Sequence, residues 1–177
     1  FKNIAYITIG TGIGCGLILN GSLFIGENGF AGELGHVWID DKENERICNC
    51  GNKGCLQSVT SGPAVLKEYN LMAKANLKSL RQVYKKYMQH DICAVKCLSN
   101  MIDYISKVVY NLVMCLDISV FLIGGGVGNM SVEFIANIKT NVNKRLIPFK
   151  REVSVEQAQL GEFSSVYGAL QLLKNSL

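Results

Sequence analysis

Ile4-Ala5-Tyr6-Ile7-Thr8-Ile9-Gly10-Thr11-Gly12-Ile13-Gly14-Cys15-Gly16-Leu17-Ile18-Leu19-Asn20-Gly21-Ser22-Leu23-Phe24-Ile25 is the stretch on which the fold turns. Residues 4–9 and 15–19 read as strands: they are apolar, partly β-branched, and separated by glycines. Asn20-Gly21 is a strong two-residue hairpin signal, because both residues accept the positive φ that such a turn needs, and it leads into Ser22–Ile25. The chain therefore opens as an antiparallel meander. No helical pattern follows the glycine run 10–16, so it is neither a Rossmann fingerprint nor a P-loop.

Downstream, the period changes. Residues 26–60 are rich in Gly, Asn and charge and show no sustained period, which predicts a long functional loop that needs a staple to be ordered. From Gly62-Pro63 the spacing is helical, with Val65, Leu66, Tyr69, Leu71 and Met72 on one helix and Leu80, Val83, Tyr84, Tyr87 and Met88 on a second. Asp91 is a candidate N-cap for a long, mostly apolar and hence buried helix that runs through Leu98, Ile105, Val109 and Leu116. Val120–Ile123 reads as a buried strand entering Gly124-Gly125-Gly126. A helix over about 131–146, a strand over 153–157 and a helix over 165–173 follow. Strands, then helices, then strand-helix-strand-helix predict one α/β domain over residues 1–177, with a mixed sheet covered by helices.

Composition limits the function classes. The 177 residues are 49% hydrophobic, enough for one sizeable core, and the net charge of +4 comes from Lys and Arg that are scattered (Lys42, Lys53, Lys67, Arg81, Lys144, Arg151). No basic arm or stripe points to nucleic acid. No apolar run reaches the ~20 residues of a spanning helix and there is no signal-peptide pattern, so a soluble, cytoplasmic protein is expected. The first residue is Phe1 rather than Met, so further residues are expected upstream. Of the seven cysteines, Cys15, Cys93, Cys97 and Cys115 lie in apolar or helical contexts that suit packing in a reducing compartment.

The other three form Cys48-x-Cys50-x4-Cys55, with Gly51 and Gly54 letting the loop double back. Three thiolates and the nearby His36 complete a tetrahedral zinc shell, and a shell closed by protein leaves no position for an activated water, so a structural zinc is expected. Three unligated cysteines in a loop are the alternative. Gly10-Thr11-Gly12 in its glycine run is compatible with backbone amides and a hydroxyl cradling an anion, or with a plain glycine-rich hairpin. Gly124-Gly125-Gly126, at the carboxyl end of a strand, suits either a flat group lying on bare backbone or a tight strand-to-helix turn. Glu33 and His36, three apart, suit hydrogen bonds to neighbouring hydroxyls of a polar ligand, or Glu33 is simply solvated.

In this order the motifs resemble the ROK family of bacterial sugar kinases and sugar-responsive repressors. The resemblance rests on Gly10–Gly16, Ala31-Gly32-Glu33-Leu34-Gly35-His36, Cys48-Asn49-Cys50-Gly51-Asn52-Lys53-Gly54-Cys55-Leu56, Gly124-Gly125-Gly126, and Leu160-Gly161 through Tyr167-Gly168-Ala169. It runs from about Tyr6 to the end and covers the C-terminal half of such a protein. It implies the actin-like (ribonuclease H-like) sugar kinase fold, with a zinc-stapled loop over 26–60. It also implies sugar contacts from Glu33 and His36 with Gly12 alongside, nucleotide phosphates near Gly10, Thr11 and Gly12, and adenosine near Gly124, Gly125 and Gly126.

Two departures qualify that implication. The family usually has Glu two positions after the last zinc cysteine, as a sugar contact, where this chain has Gln57; an amide offers no charged acceptor, so an altered sugar preference is expected. Family kinases also carry an N-terminal lobe with an Asp-x-Gly-x-Thr or -Lys loop and an Asn-Asp pair whose Asp is the general base. Neither occurs here, and Asp40, Asp41, Asp91, Asp103 and Asp117 match no family base, so no catalytic residue is assigned. The resemblance thus implies an Mg-ATP-dependent hexose or N-acetylhexosamine kinase whose missing lobe supplies the base, this chain alone being inactive. Its alternative is the effector domain of a repressor that binds DNA through an upstream helix-turn-helix. Homodimerisation through this half is expected for either.

Overall fold

The computed structural model describes residues 1–39 and 46–176. Asp40, Asp41 and Lys42, weighed above, lie outside the described residues.

β1 (Ile4–Ile9) and β2 (Ile13–Leu19) pair antiparallel with Ile9 opposite Ile13, so the glycine-bearing turn is short. β3 (Ser22–Phe24) follows a two-residue turn in which Asn20 and Gly21 have φ of 55° and 82°. That is the twist-matched hairpin conformation expected of Asn-Gly. β2 begins at Ile13, two residues earlier than its apolar run alone suggests, because Gly14 pairs with Thr8 and loses no ladder bond to its missing side chain. β4 (Val120–Gly124) lies parallel to β1, and β5 (Ser154–Gln157) lies parallel to β4. The sheet order is β3-β2-β1-β4-β5. Parallel pairing of β1 with β4 places the turn at Gly10–Gly12 and the glycines 124–126 at the same edge of the sheet, beyond the carboxyl ends of both strands.

The described residues between β3 and β4 include the α-helices α1 (Gln57–Thr60), α2 (Gly62–Ala73), α3 (Leu80–Met88) and α4 (Ile92–Leu116). The loop predicted to extend to residue 60 thus ends in α1. Each longer helix starts where its sequence supplies a cap. Ser61 and Asp91 accept from the amides of Ala64 and Ala94, and Ser79 with Gln82 forms a capping box. α4 is stopped by Asp117, whose φ of 53° closes the helix in the left-handed conformation. α5 (Gly125–Gly128) and α6 (Val132–Leu146) follow β4, and α7 (Ser164–Ser176) ends the chain.

The core joins β1 (Ala5, Ile7, Ile9), β4 (Phe121, Ile123), α4 (Leu98, Met101, Ile105, Val109) and α6 (Ile138, Leu146), all buried. Phe121 is fully buried at the centre; truncation of such a side chain to Ala typically costs ~3–5 kcal/mol. Cys97 is buried with the core as expected, but Cys115 is exposed, because it lies on the outer face of the last turn of α4. Val166, Tyr167, Leu170 and Leu173 of α7 are exposed. None of the described helices is long and apolar enough to cross a membrane.

Candidate metal centre and ligand site

His36, Cys48, Cys50 and Cys55 come together: their ligand atoms all lie within 4.8 Å of one another. His36 Nδ1 is 3.7 Å from Cys48 Sγ, and Cys50 Sγ is 3.6 Å from Cys55 Sγ. Metal bonds of about 2.3 Å to sulfur and about 2.0 Å to nitrogen give tetrahedron edges of roughly 3.5–3.8 Å, which the His36–Cys48 and Cys50–Cys55 separations match, while the remaining pairs lie within 4.8 Å. The Cys3His set therefore fits zinc and can hold it.

Short elements bring the donors together. A single 3-10 turn, Leu34–His36, carries the histidine, with Leu34 and Gly35 buried beneath it. The loop folds back because the Gly51 amide donates to the Cys48 carbonyl and the Cys48 amide to the Asn52 carbonyl. Leu56 donates to Val37 and Ile39 to Gly54, pairing the two ends of the segment, and Arg46 forms an ion pair with Glu68 on α2. Burial raises the Cys55 thiol, as do its Cys50 and Cys48 neighbours. Burial also pushes Cys48 upward, but hydrogen bonds from the Cys50 backbone and the Gln57 side chain more than offset it and leave that thiol lowered. Protein groups alone thus favour the Cys48 thiolate and disfavour that of Cys55, and a bound cation would offset the latter.

The ligand candidates surround this centre. Glu33 Oε2 lies 4.0 Å from His36 Nε2, the ring nitrogen turned away from Cys48, and both side chains are partly exposed. Gln57 opens α1 two residues after Cys55. Its Nε2 donates to Cys48 Sγ at 3.2 Å, and its Oε1 accepts from the Ile13 amide at 3.4 Å. The hairpin turn is held by the Gly10 amide donating to the Gly12 carbonyl, and the Gly62 amide donates to the Gly10 carbonyl, docking the start of α2 on it. A cavity of about 620 Å³ is lined by Thr11, Cys48, Gln57, Ser61 and Lys67. Glu33 and His36 are not among the residues lining that cavity.

The glycines at 124–126 form the strand-to-helix turn into α5. Gly125 has φ of 78°, and a Cβ there would stand 2.5 Å from the Ile9 carbonyl oxygen, so side-chain-free backbone packs directly on the end of β1. The two glycine motifs, far apart in sequence, are thereby neighbours. Ser61 and Lys67 were not legible as site residues. A Ser-Gly-Pro helix start was visible, but nothing in it placed that start against the Gly10 carbonyl.

A strand order of 3-2-1-4-5 flanked by helices, with glycine motifs at the carboxyl ends of β1 and β4, defines a mixed α/β fold of the actin-like type. The ROK family model matches residues 1–176, and the chain belongs to the ROK family. It is 30% identical over 175 residues to an N-acetylmannosamine kinase of Yersinia pestis (strain Pestoides F), covering 99% of this chain and 58% of the relative. Among solved structures it is similar to a ROK hexokinase from Thermus thermophilus (TM-score 0.86, 26% identity, 97% of this chain and 57% of that one). It is also similar to a ROK family glucokinase from Streptomyces griseus, solved in complex with glucose and AMPPNP (TM-score 0.84, 25% identity, 97% of this chain and 60% of that one). The fold alone is shared with a ROK family transcriptional regulator, a homologue of the E. coli MLC protein (TM-score 0.74, 24% identity). The chain spans a little over half the length of the kinases it matches.

Proposed function

We propose that this chain is the C-terminal lobe of a ROK sugar kinase that transfers the γ-phosphoryl of Mg-ATP to a hydroxyl of a hexose or N-acetylhexosamine. The observation that carries the reading is the meeting of three elements at Gln57: the hairpin turn, the Glu33–His36 turn and the Cys3His loop. In this reading Glu33, His36 and Gln57 contact sugar hydroxyls beside Gly12. Gly10, Thr11 and Gly12 face the phosphates, and Gly124, Gly125 and Gly126 face the adenosine. Zinc held by His36, Cys48, Cys50 and Cys55 is structural, since all four positions of a tetrahedral shell come from protein. When bound, it would fix the orientation of the His36 ring beside Glu33.

Phosphoryl transfer draws mainly on positioning and charge stabilisation, which suits a lobe of backbone amides and hydroxyls. The proton of the sugar hydroxyl goes to a carboxylate of the other lobe, and this chain contributes no catalytic residue. Cytoplasmic location and homodimerisation belong to the same reading. The test is calorimetric titration of the complete protein with glucose, N-acetylmannosamine and other hexoses, in the presence and absence of an ATP analogue. Saturable binding of at least one sugar is expected, and none across the panel would overturn the reading.

Gln57 supports a second reading, the sugar-sensing domain of a ROK repressor. A neutral amide where the family, kinases and repressors alike, usually places a carboxylate tilts slightly toward a protein without catalytic demands. DNA binding by the complete protein that is released by a sugar would select this reading over the first.

A further inference from the structure

We propose that Gln57 is a positioning residue of the metal centre, one whose side-chain N–H stabilises the Cys48 thiolate on the metal while its carbonyl oxygen is anchored to the Ile13 amide. The proposal rests on the reading of the Cys3His cluster as a metal site.

Two contacts fix which way the carboxamide points. Nε2 is 3.2 Å from Cys48 Sγ, and Oε1 faces the Ile13 N–H at 3.4 Å. Turning the amide over would set an oxygen against a thiolate and an NH2 against an N–H, two donors or two acceptors at each end. The side chain is also confined sterically. A Cβ at Gly35 would come within 2.7 Å of Oε1 and one at Gly12 within 3.1 Å, so the two backbones close around it. Gln57 is therefore clamped by the hairpin and by the turn that carries His36.

A zinc ion with three thiolates and one neutral imidazole carries a net negative charge, and a neutral N–H donor onto sulfur disperses it. A carboxylate at this position has no proton to give, so the contact to Cys48 is particular to the amide. The identity of residue 57 thus couples metal retention to the cavity it lines. One donor and one acceptor of the amide are engaged, leaving one of each for a ligand hydroxyl.

The experiment compares the zinc-loaded 177-residue chain with its Gln57→Glu and Gln57→Met variants by competition against a chromophoric chelator. Zinc affinity is expected to fall by about 10- to 100-fold in both, since neither replacement can donate to Cys48. Gln57→Met, uncharged and similar in volume, carries the test if Gln57→Glu does not fold. The second readout substitutes Co²⁺ for zinc and follows the thiolate-to-cobalt charge-transfer band. Loss of the N–H makes Cys48 a better electron donor, so the band moves to longer wavelength, whereas a residue with only a packing role leaves it in place. Affinities within about twofold of the parent together with an unmoved band overturn the proposal and leave the metal site standing. Failure of the parent chain to bind either ion overturns both.

Discussion

The amide of Cys15 donates to the carbonyl oxygen of Gly32 at 3.0 Å, and this bond docks the loop carrying Glu33 and His36 onto the middle of β2. The approach is possible only because residue 32 lacks a side chain. Its φ is 89°, and a Cβ there would stand 2.0 Å from the Cys15 carbonyl oxygen. Gly32→Ala is therefore expected to cost on the order of 3 kcal/mol or more, from the left-handed conformation together with the clash against backbone. Chemical denaturation of the parent and variant chains measures it; a loss below about 1 kcal/mol would mean the loop docks elsewhere.

Glu33 separates ligand binding from stability. Its side chain is 58% exposed, and its carboxylate lies 4.0 Å from His36 Nε2. Glu33→Ala should leave stability within about 0.5 kcal/mol of the parent. In the complete protein it should weaken sugar binding by about 10- to 100-fold, the value of a charge-assisted hydrogen bond. Thermal melting and calorimetry on the same variant check both halves.

Much of this was legible in the chain. Apolar, partly β-branched runs placed the strands, Asn20-Gly21 placed the hairpin between β2 and β3, and Asp91 placed the start of α4. The spacing of Cys48, Cys50 and Cys55 with His36 marked the metal donors. Those signals are local, carried by residues a few positions apart. Invisible was whatever depends on which strand lies beside which: β4 pairs with β1 across more than a hundred residues, and that pairing alone brings Gly125 against Ile9. The role of Gln57 was hidden for a similar reason. As an amide near the last cysteine it reads as a substituted ligand contact, and only its distances to Cys48 and Ile13 turn it toward the metal.

Gln57→Glu should also change which sugars bind. At saturating zinc, a carboxylate offers two hydroxyls a charged acceptor that the amide does not. The ranking of a panel of hexoses and N-acetylhexosamines against the complete protein is expected to differ between parent and variant. Identical affinities for every sugar would contradict a ligand contact at residue 57.

Residues 1–177 by themselves should not turn over. A coupled assay for ADP release with Mg-ATP and each sugar is expected to give no rate above background, because the general base of the proposed reaction lies in the other lobe. Measurable turnover by the chain alone would place a base among its own carboxylates.

The most direct measurement is the metal content of the purified chain, taken with its melting temperature before and after chelation. About one equivalent of zinc per chain is expected, with a clear loss of thermal stability when it is removed and recovery when it is restored, because the metal ties His36 to the loop of Cys48, Cys50 and Cys55. Less than about half an equivalent, with a melting temperature indifferent to chelator, would contradict the metal-stapled ligand site on which the functional reading stands.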